Sequence, residues 1–195
     1  MDYIETERMV EDIVRNTFLN SMNKTLPYHN LEHTRRVVVH AGEIAKYYRL
    51  NIELHFIVLM AAWFHDIGYI YGGEDGHEQT GVFVMELNLQ RLSVDAKIIA
   101  SIAGCIKATR HPSNPKNAHE GMVCDADTYD FGTLNFRETY EPMKRERELR
   151  IGTAFADWPA RSIRMLEEHR YHSEYCRQLL DAGKRENIEW LRSQT

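Results

Sequence analysis

The chain has 195 residues, of which 43% are hydrophobic and 27% are charged. A chain of this length can bury one substantial core, and such a composition excludes disordered, collagen-like and repeat-array proteins. The formal net charge of −5 repels nucleic acid from the molecule as a whole, which excludes a nucleic-acid duplex as the expected partner. A small phosphorylated ligand, captured at a local site, remains compatible with this charge.

Apolar residues at helical spacing predict helices throughout the chain. In chain order, these helices cover residues 4–18, 31–48, 52–64, 82–87, 94–106, 120–131, 135–150, 158–169 and 171–192. The helix at 52–64 is apolar on almost every side, which indicates that neighbouring helices bury it all round. No run of alternating apolar and polar residues is long enough to predict a sheet. We therefore expect an all-α fold, a single compact domain of about seven to nine helices.

Local signals mark the ends of the predicted helices. Gly68 is predicted to end the buried helix, and Ser93 is predicted to cap the helix that follows it. His111-Pro112 and Pro115 then break that helix. Two polar or glycine-rich segments are predicted to be loops, residues 20–24 and 71–76.

Three features of the sequence predict a reducing, aqueous compartment. The three cysteines, Cys105, Cys124 and Cys176, are an odd number with no CxxC pair, so a disulfide framework is not expected. The N-terminal segment is acidic and amphipathic, without the basic region of a secretory signal. The longest apolar stretch, at residues 56–64, is too short to span a bilayer. We therefore expect a cytoplasmic protein that does not bind a membrane.

The doublet His65-Asp66 stands directly after the buried helix. An imidazole and a carboxylate side by side are costly to bury unless a cation or a hydrogen-bond network compensates them, so the doublet predicts a functional site. These ligands suit a divalent ion: manganese, iron, cobalt, nickel, zinc or magnesium. Further ligands must come from elsewhere, and the candidates lie in residues 28–33 and 125–127.

The order of these motifs resembles the HD-domain superfamily, whose members are helical and mostly hydrolyse phosphate esters. Three local contexts carry the resemblance: a helix that opens as His33-x-x-x-Val, the doublet followed by Ile-Gly, and Asp127 in an Ala-Asp context. The resemblance covers residues 29–130, the motif core, and implies that the C-terminal helices complete a single HD domain of the phosphodiesterase type over residues 1–195. It implies a divalent metal held by His33, His65, Asp66 and Asp127.

His29 resembles a proton donor. Tyr28-His29-Asn30 is similar to a motif of the cyclic-nucleotide phosphodiesterase branch, in which the corresponding histidine donates a proton to the leaving oxygen. His29 and His33 are four residues apart, so they share one face if both lie on a helix. Asn30 also fits a simple helix cap, which leaves a purely structural alternative open for this motif.

His77 and His111 lie between the doublet and the last aspartate. In members of the superfamily with two metals, histidines in this interval complete a second site, and Asp66 would then bridge both ions. The alternative is that both histidines line the pocket and contact phosphate or water. Both interpretations remain open from the sequence.

Basic residues near the motifs are candidates for binding phosphate. Arg36, Lys107 and Arg110 are the predicted clamps, because guanidinium and ammonium groups pair with phosphate oxygens, and His111 joins them as a substrate-binding candidate. The charged run at residues 144–150 alternates in sign, which predicts a solvent-facing helix.

Together these residues predict metal-dependent hydrolysis of a phosphate ester, by a phosphomonoesterase or phosphodiesterase acting on a nucleotide or another small phosphorylated metabolite. Asp66 would orient the nucleophilic water, and His29 or His77 would transfer protons. Two other functions stay open: a di-iron oxygenase, as in a few HD-fold enzymes, and a non-catalytic nucleotide-sensing module. The identity of the metal, a second metal and a homodimer also stay open.

Overall fold

The computed structural model describes residues 2–21, 26–72 and 75–194. Across these residues it has nine α-helices, two 3-10 helices and no strand, which confirms the predicted all-α fold. The segments predicted as loops, 20–24 and 71–76, fall partly outside the described residues. The α-helices are Tyr3–Leu19 (α1), Leu31–Tyr47 (α2), Ile52–Phe64 (α3), His77–Arg91 (α4), Ala96–Ala108 (α5), Ala118–Asp127 (α6), Asn135–Ile151 (α7), Trp158–Glu168 (α8) and Glu174–Arg192 (α9).

Helix α3 lies at the centre of the fold. Its side chains are apolar on almost every face, so neighbouring helices cover it and no face is kept for solvent. It packs against α1, α2, α4, α5 and α6, and Val58, Met60 and Phe64 are fully buried. Burying a side chain of this size contributes about 1.5–3 kcal/mol. His65 caps the C-terminal end of α3, so the doublet leaves the helix directly from the core. No helix in the described residues is both long enough and apolar enough to cross a membrane.

The C-terminal helices α7, α8 and α9 enclose a second apolar cluster, here called the C-terminal cluster. Helix α9 joins this cluster to the rest of the fold by packing against the 3-10 helix Tyr129–Gly132. A side-chain carbon at Gly183 would lie 2.1 Å from the carbonyl oxygen of Gly132, so only glycine permits this contact. The buried members of the C-terminal cluster are Phe131, Phe136, Tyr140, Trp158, Leu166, Ile188 and Leu191.

The prediction that Ser93 caps α5 is wrong. The backbone of Ser93 is left-handed, with φ of 57°, and its N–H donates to the carbonyl oxygen of Gln90, so Ser93 belongs to the end of α4. Helix α5 begins at Ala96, and Asp95 caps it by accepting a hydrogen bond of 2.8 Å from the N–H of Lys97. Serine and aspartate are both good caps, and the tight turn at Ser93 decided between them.

Gly68 does not end α3, which ends at Phe64. Gly68 lies instead in the 3-10 helix Ile67–Ile70, where a side-chain carbon would lie 2.0 Å from the carbonyl oxygen of His77. The glycine is therefore required by close packing rather than by helix termination. This packing brings the first turn of α4 against the segment that follows the doublet.

Candidate metal centre

Four side chains from three helices converge on one point. His33 lies in the first turn of α2, where Asn30 caps the helix and accepts a hydrogen bond of 3.1 Å from the N–H of His33. His65 and Asp66 follow α3. Asp127 is the last residue of α6, which ends there and not at residue 131 as predicted. One ligand atom from each of the four residues lies within 4.8 Å of all the others.

The imidazole nitrogens of this cluster face its carboxylates at short range. His65 Nε2 lies 3.0 Å from Asp66 Oδ2 and 3.4 Å from Asp127 Oδ1. His33 Nε2 lies 3.3 Å from each of the same two oxygens. His33, His65 and Asp66 are buried, whereas the side chain of Asp127 is 24% exposed. Asp127 is therefore the most accessible member of the cluster.

Different contacts orient the imidazole rings of His65 and His33. His65 Nδ1 lies 2.8 Å from the carbonyl oxygen of Ala62. Because a carbonyl can only accept, Nδ1 carries a hydrogen, and Nε2 points into the cluster as the ligand atom. His33 Nδ1 is buried with no hydrogen-bond partner among the described residues, and its ring packs against Tyr28, with centroids 4.7 Å apart.

Opposite charges stabilise one another in the cluster. Burial by itself would lower the pKa of His65, yet Asp66 and Asp127 raise it well above its ordinary value. Burial by itself would raise the pKa of Asp66, yet His65 and His29 lower it well below its ordinary range. The pKa of Asp127 is likewise lowered, against burial, by His65 and His33. The carboxylates are thus ionised and require a buried positive partner.

This donor set fits a divalent metal ion. Two imidazole nitrogens with two carboxylate oxygens suit manganese, iron, cobalt, nickel or zinc, whereas magnesium prefers oxygen ligands alone. Asp66 Oδ2 is buried and accepts no well-aligned hydrogen bond from the described residues. A metal ion at the centre of the cluster would satisfy that oxygen, with the imidazoles bound in their neutral form.

His29 lies beside the cluster without belonging to it. Its Nε2 is 4.0 Å from Asp66 Oδ2, and its ring stacks on Tyr69 with centroids 4.1 Å apart. On its other side, His29 Nδ1 lies 2.5 Å from Oε1 of Glu146. Glu146 Oε2 also accepts hydrogen bonds from the backbone N–H groups of Tyr28, at 2.8 Å, and His29, at 2.9 Å. Glu146 therefore fixes both the backbone and the ring of His29.

Glu146 is ionised despite its burial. Burial by itself would raise its pKa, yet the hydrogen bond and charge of His29 and the two backbone N–H groups lower it below its ordinary value. Arg150, one turn later on α7, lies 3.1 Å from Oε1 of the same carboxylate and stacks over the ring of Tyr69. Helix α7 thus reaches into the site through a charged pair.

Sequence reasoning missed Glu146 and Arg150, because the prediction that residues 144–150 form a solvent-facing helix is wrong for these two side chains. Glu146 is 2% exposed. Their spacing could have indicated a shared face of the helix, because Met143, Glu146 and Arg150 recur at helical intervals on the same side of α7. Alternating charge hid this signal, since charge alone does not reveal whether a face is covered.

Two of the four ligand residues, Asp66 and Asp127, line a cavity of about 400 Å³, and His33 and His65 lie behind them in the cluster. His29 and His77 also line it, and His77 Nε2 is 3.7 Å from Asp66 Oδ1. The ring of His77 stacks on Tyr69, with centroids 3.9 Å apart. His77 therefore faces the second oxygen of Asp66, while its place as a ligand of a second ion stays a prediction.

The predicted phosphate clamps are not all in this cavity. Arg110 and His111, from the loop after α5, line it. Arg36 lies elsewhere, because its Nε donates to Asp130 Oδ2 at 3.2 Å and it borders a separate open groove beside α2. Lys107 is exposed and does not line the cavity either. Arg147 and Arg150 of α7 are the further cations that do.

Asp125 and Asp127 have different surroundings, as their separation by two positions on a helix predicts. Asp127 faces the histidines of the cluster. Asp125 is fully buried and accepts hydrogen bonds of 2.7 Å from the backbone N–H groups of His172 and Ser173. Asp125 therefore ties the turn before α9 to α6.

The fold and the cluster together define a class: an all-helical domain in which two histidines and two aspartates meet beside one cavity. The family model of the HD domain matches residues 30–132. This match covers more than half of the chain. The chain therefore belongs to the HD domain family, as the motifs predict. Helices α7, α8 and α9 follow the matched segment.

The fold is similar to the crystal structure of a predicted HD superfamily hydrolase from an uncultured Thermotogales bacterium. The two chains are 21% identical, with a TM-score of 0.63, and the similarity covers 95% of this chain and 89% of the other. At this identity the similarity shows the fold. No curated protein sequence matches this chain.

Proposed function

We propose that this chain is a metal-dependent phosphohydrolase that acts on a small phosphorylated metabolite. One observation carries the proposal: the two aspartates of a four-residue metal-ligand cluster, a histidine supported by a buried glutamate, and three arginines line the same cavity. These are the parts needed to bind a phosphate ester and to transfer a proton to its leaving group. Membership of the HD domain family supports a hydrolytic function.

His33, His65, Asp66 and Asp127 would hold the metal ion. A divalent ion bound there polarises phosphoryl oxygens and makes water acidic enough to attack at neutral pH. Asp66 has a further task in this proposal. Its Oδ1 faces His77 Nε2, and this oxygen can accept a hydrogen bond from the attacking water and orient it.

His29 is the proton donor in the proposal. Because Glu146 Oε1 is an acceptor, His29 Nδ1 carries a hydrogen, and the proton to be transferred resides on Nε2. Nε2 is the ring atom that lies toward Asp66 and the cluster. The stacked ring of Tyr69 restricts rotation of the imidazole. Nε2 would thus be held near the leaving oxygen of an ester bound at the cluster.

Arg110 is the cation that we assign to the phosphate. Among the described residues Arg110 forms no ion pair, whereas the guanidinium of Arg150 already pairs with Glu146. A free guanidinium fork can form two hydrogen bonds with phosphate oxygens. Arg150 then acts by holding Glu146, and through it His29.

A phosphatase screen with purified protein tests the proposal. The substrates are nucleotides, cyclic nucleotides and sugar phosphates, each with manganese, cobalt, nickel and magnesium in parallel. We expect metal-dependent turnover that Asp66→Ala abolishes, together with most of the bound metal, because the variant deletes a ligand from a small donor set. The matched control is Asp12→Ala, which removes an exposed carboxylate of α1.

Three results would contradict the proposal. Equal turnover in Asp66→Ala and the wild type would refute the metal assignment. Binding of phosphorylated ligands without turnover, with every metal, would favour a nucleotide-sensing module. Two bound irons with consumption of oxygen would favour an oxygenase.

A further inference from the structure

The cavity extends beyond the residues that a metal ion and a phosphate group would contact. Part of its lining, here called the apolar end, consists of Phe131, Met143, Trp158 and Met165. All four belong to the C-terminal cluster or pack against it. Phe131 and Trp158 are buried, whereas Met143 and Met165 are half-buried, so the methionines provide the accessible surface of this wall.

The apolar end has a chemistry of its own. It consists of two aromatic rings and two thioethers, with no charged side chain. The one N–H donor in the set, Nε1 of Trp158, is fully buried, so a ligand meets no hydrogen-bond donor there. Thioether sulfurs and aromatic rings make favourable contacts with the faces and edges of flat rings. The hydroxyl groups of a sugar would lose their hydrogen bonds to water at this wall without replacement.

We propose that the apolar end binds a flat, uncharged ring in the organic part of the substrate, and that Met143 and Met165 determine this specificity. The inference rests on the proposed phosphohydrolase function and narrows its substrate class to phosphate esters that carry such a ring. Both ends belong to one cavity, so an ester with its phosphate at the metal cluster extends its organic group toward the methionines. A cavity of about 400 Å³ lies within the range of small-molecule sites, about 300–1,000 Å³.

The position of the methionines along the chain is consistent with a role in specificity. Met143 lies on α7 and Met165 on α8, both after residue 132, where the match to the HD domain ends. The metal ligands all lie within the matched segment. The metal ligands therefore come from the part of the fold shared with the family, and both methionines come from helices outside the match.

The test compares 1-naphthyl phosphate with ribose 5-phosphate on the metal-loaded protein. We expect kcat/KM to be higher for the naphthyl ester. Met143→Gln and Met165→Gln should each lower it for that ester by about tenfold, as loss of a well-packed apolar contact does, with little change for ribose 5-phosphate. Met143→Leu and Met165→Leu should restore the preference. The matched control is Leu149→Gln, an exposed residue of α7 outside the cavity.

Calorimetric binding of naphthylmethylphosphonate, which cannot be hydrolysed, separates this inference from the proposed function. One outcome is that no ester is turned over, the phosphonate binds, and the glutamine variants weaken that binding. This outcome would support ring binding at the apolar end and contradict the phosphohydrolase proposal. Turnover with equal kcat/KM for both esters would overturn the ring specificity and leave the phosphohydrolase proposal intact. Absence of both binding and turnover would overturn both. Thermal unfolding of each variant shows that its effect occurs in folded protein.

Discussion

Replacing Glu146 with glutamine would remove the negative charge that holds His29. The single oxygen of the new amide must accept from the backbone N–H groups of Tyr28 and His29, as Oε2 does now. Its amide nitrogen then faces His29 Nδ1 and Arg150, where Oε1 now lies. An amide N–H pointing at Nδ1 leaves no place for a hydrogen on that atom, so the imidazole cannot carry protons on both nitrogens.

The size of the effect follows from the bond that is lost. A hydrogen bond to a charged group contributes about 1.5–3 kcal/mol, and each 1.36 kcal/mol of barrier is about tenfold in rate. If protonated His29 is needed in the transition state, Glu146→Gln should lower kcat by about 10- to 150-fold. Metal content should not change, because Glu146 contacts none of the four ligand residues in the bonds and ion pairs described.

The assay compares an alkyl phosphate with 4-nitrophenyl phosphate and measures bound metal in parallel. The defect of Glu146→Gln should shrink for the nitrophenyl ester, because a good leaving group needs little protonation as it departs. His29→Ala should show the same pattern and keep its metal. Glu141→Gln, an exposed glutamate of α7, is the matched control. Equal defects for both esters, with metal retained, would refute the proton-donor role.

Three further predictions follow from single contacts. Asp127→Ala should lose bound metal, whereas Asp125→Ala should keep it. Asp125→Ala should instead lose about 2–4 kcal/mol of stability in urea unfolding, because two backbone N–H groups lose their acceptor. The reverse ranking of metal loss would show that the wrong aspartate is assigned. Gly68→Ala should lower the free energy of unfolding by about 3 kcal/mol, because its side chain would meet a carbonyl oxygen at 2.0 Å. Gly72→Ala, with open space around it, should not, and equal stability of the two variants would contradict this account. Burial and a neighbouring lysine lower the pKa of His169 to about 3, below its value of about 6.5 in the unfolded chain. The unfolded state therefore binds the proton first, and stability falls as the pH drops below about 6.5, by about 2 kcal/mol at pH 5. The unfolding free energies of the wild type and His169→Gln should diverge over this range, and parallel curves would contradict the prediction.

The sequence by itself determined the helical class and the members of the cluster. Ile52–Phe64 is apolar on almost every side, and such a helix is stable only in the interior of a fold. The polar groups of a histidine and an aspartate directly after such a helix are buried, so they require hydrogen bonds or a cation in any arrangement of the other helices. His33 and Asp127 were found from their local contexts, and the structure places both against the doublet. These features are readable because each depends on a few consecutive residues.

Only the tertiary structure decided which charged residues support the site. Glu146 contacts the backbone of Tyr28 across 118 positions of the chain, a separation over which helical periodicity carries no information. In sequence it stands in a run of alternating charges, which is typical of a solvated face. Arg36 shows the opposite case, because it lies near the motif in sequence, yet Asp130 pairs with it away from the cavity. Local spacing fixes which side of its own helix a residue occupies, but the partner that meets that side depends on how the helices pack.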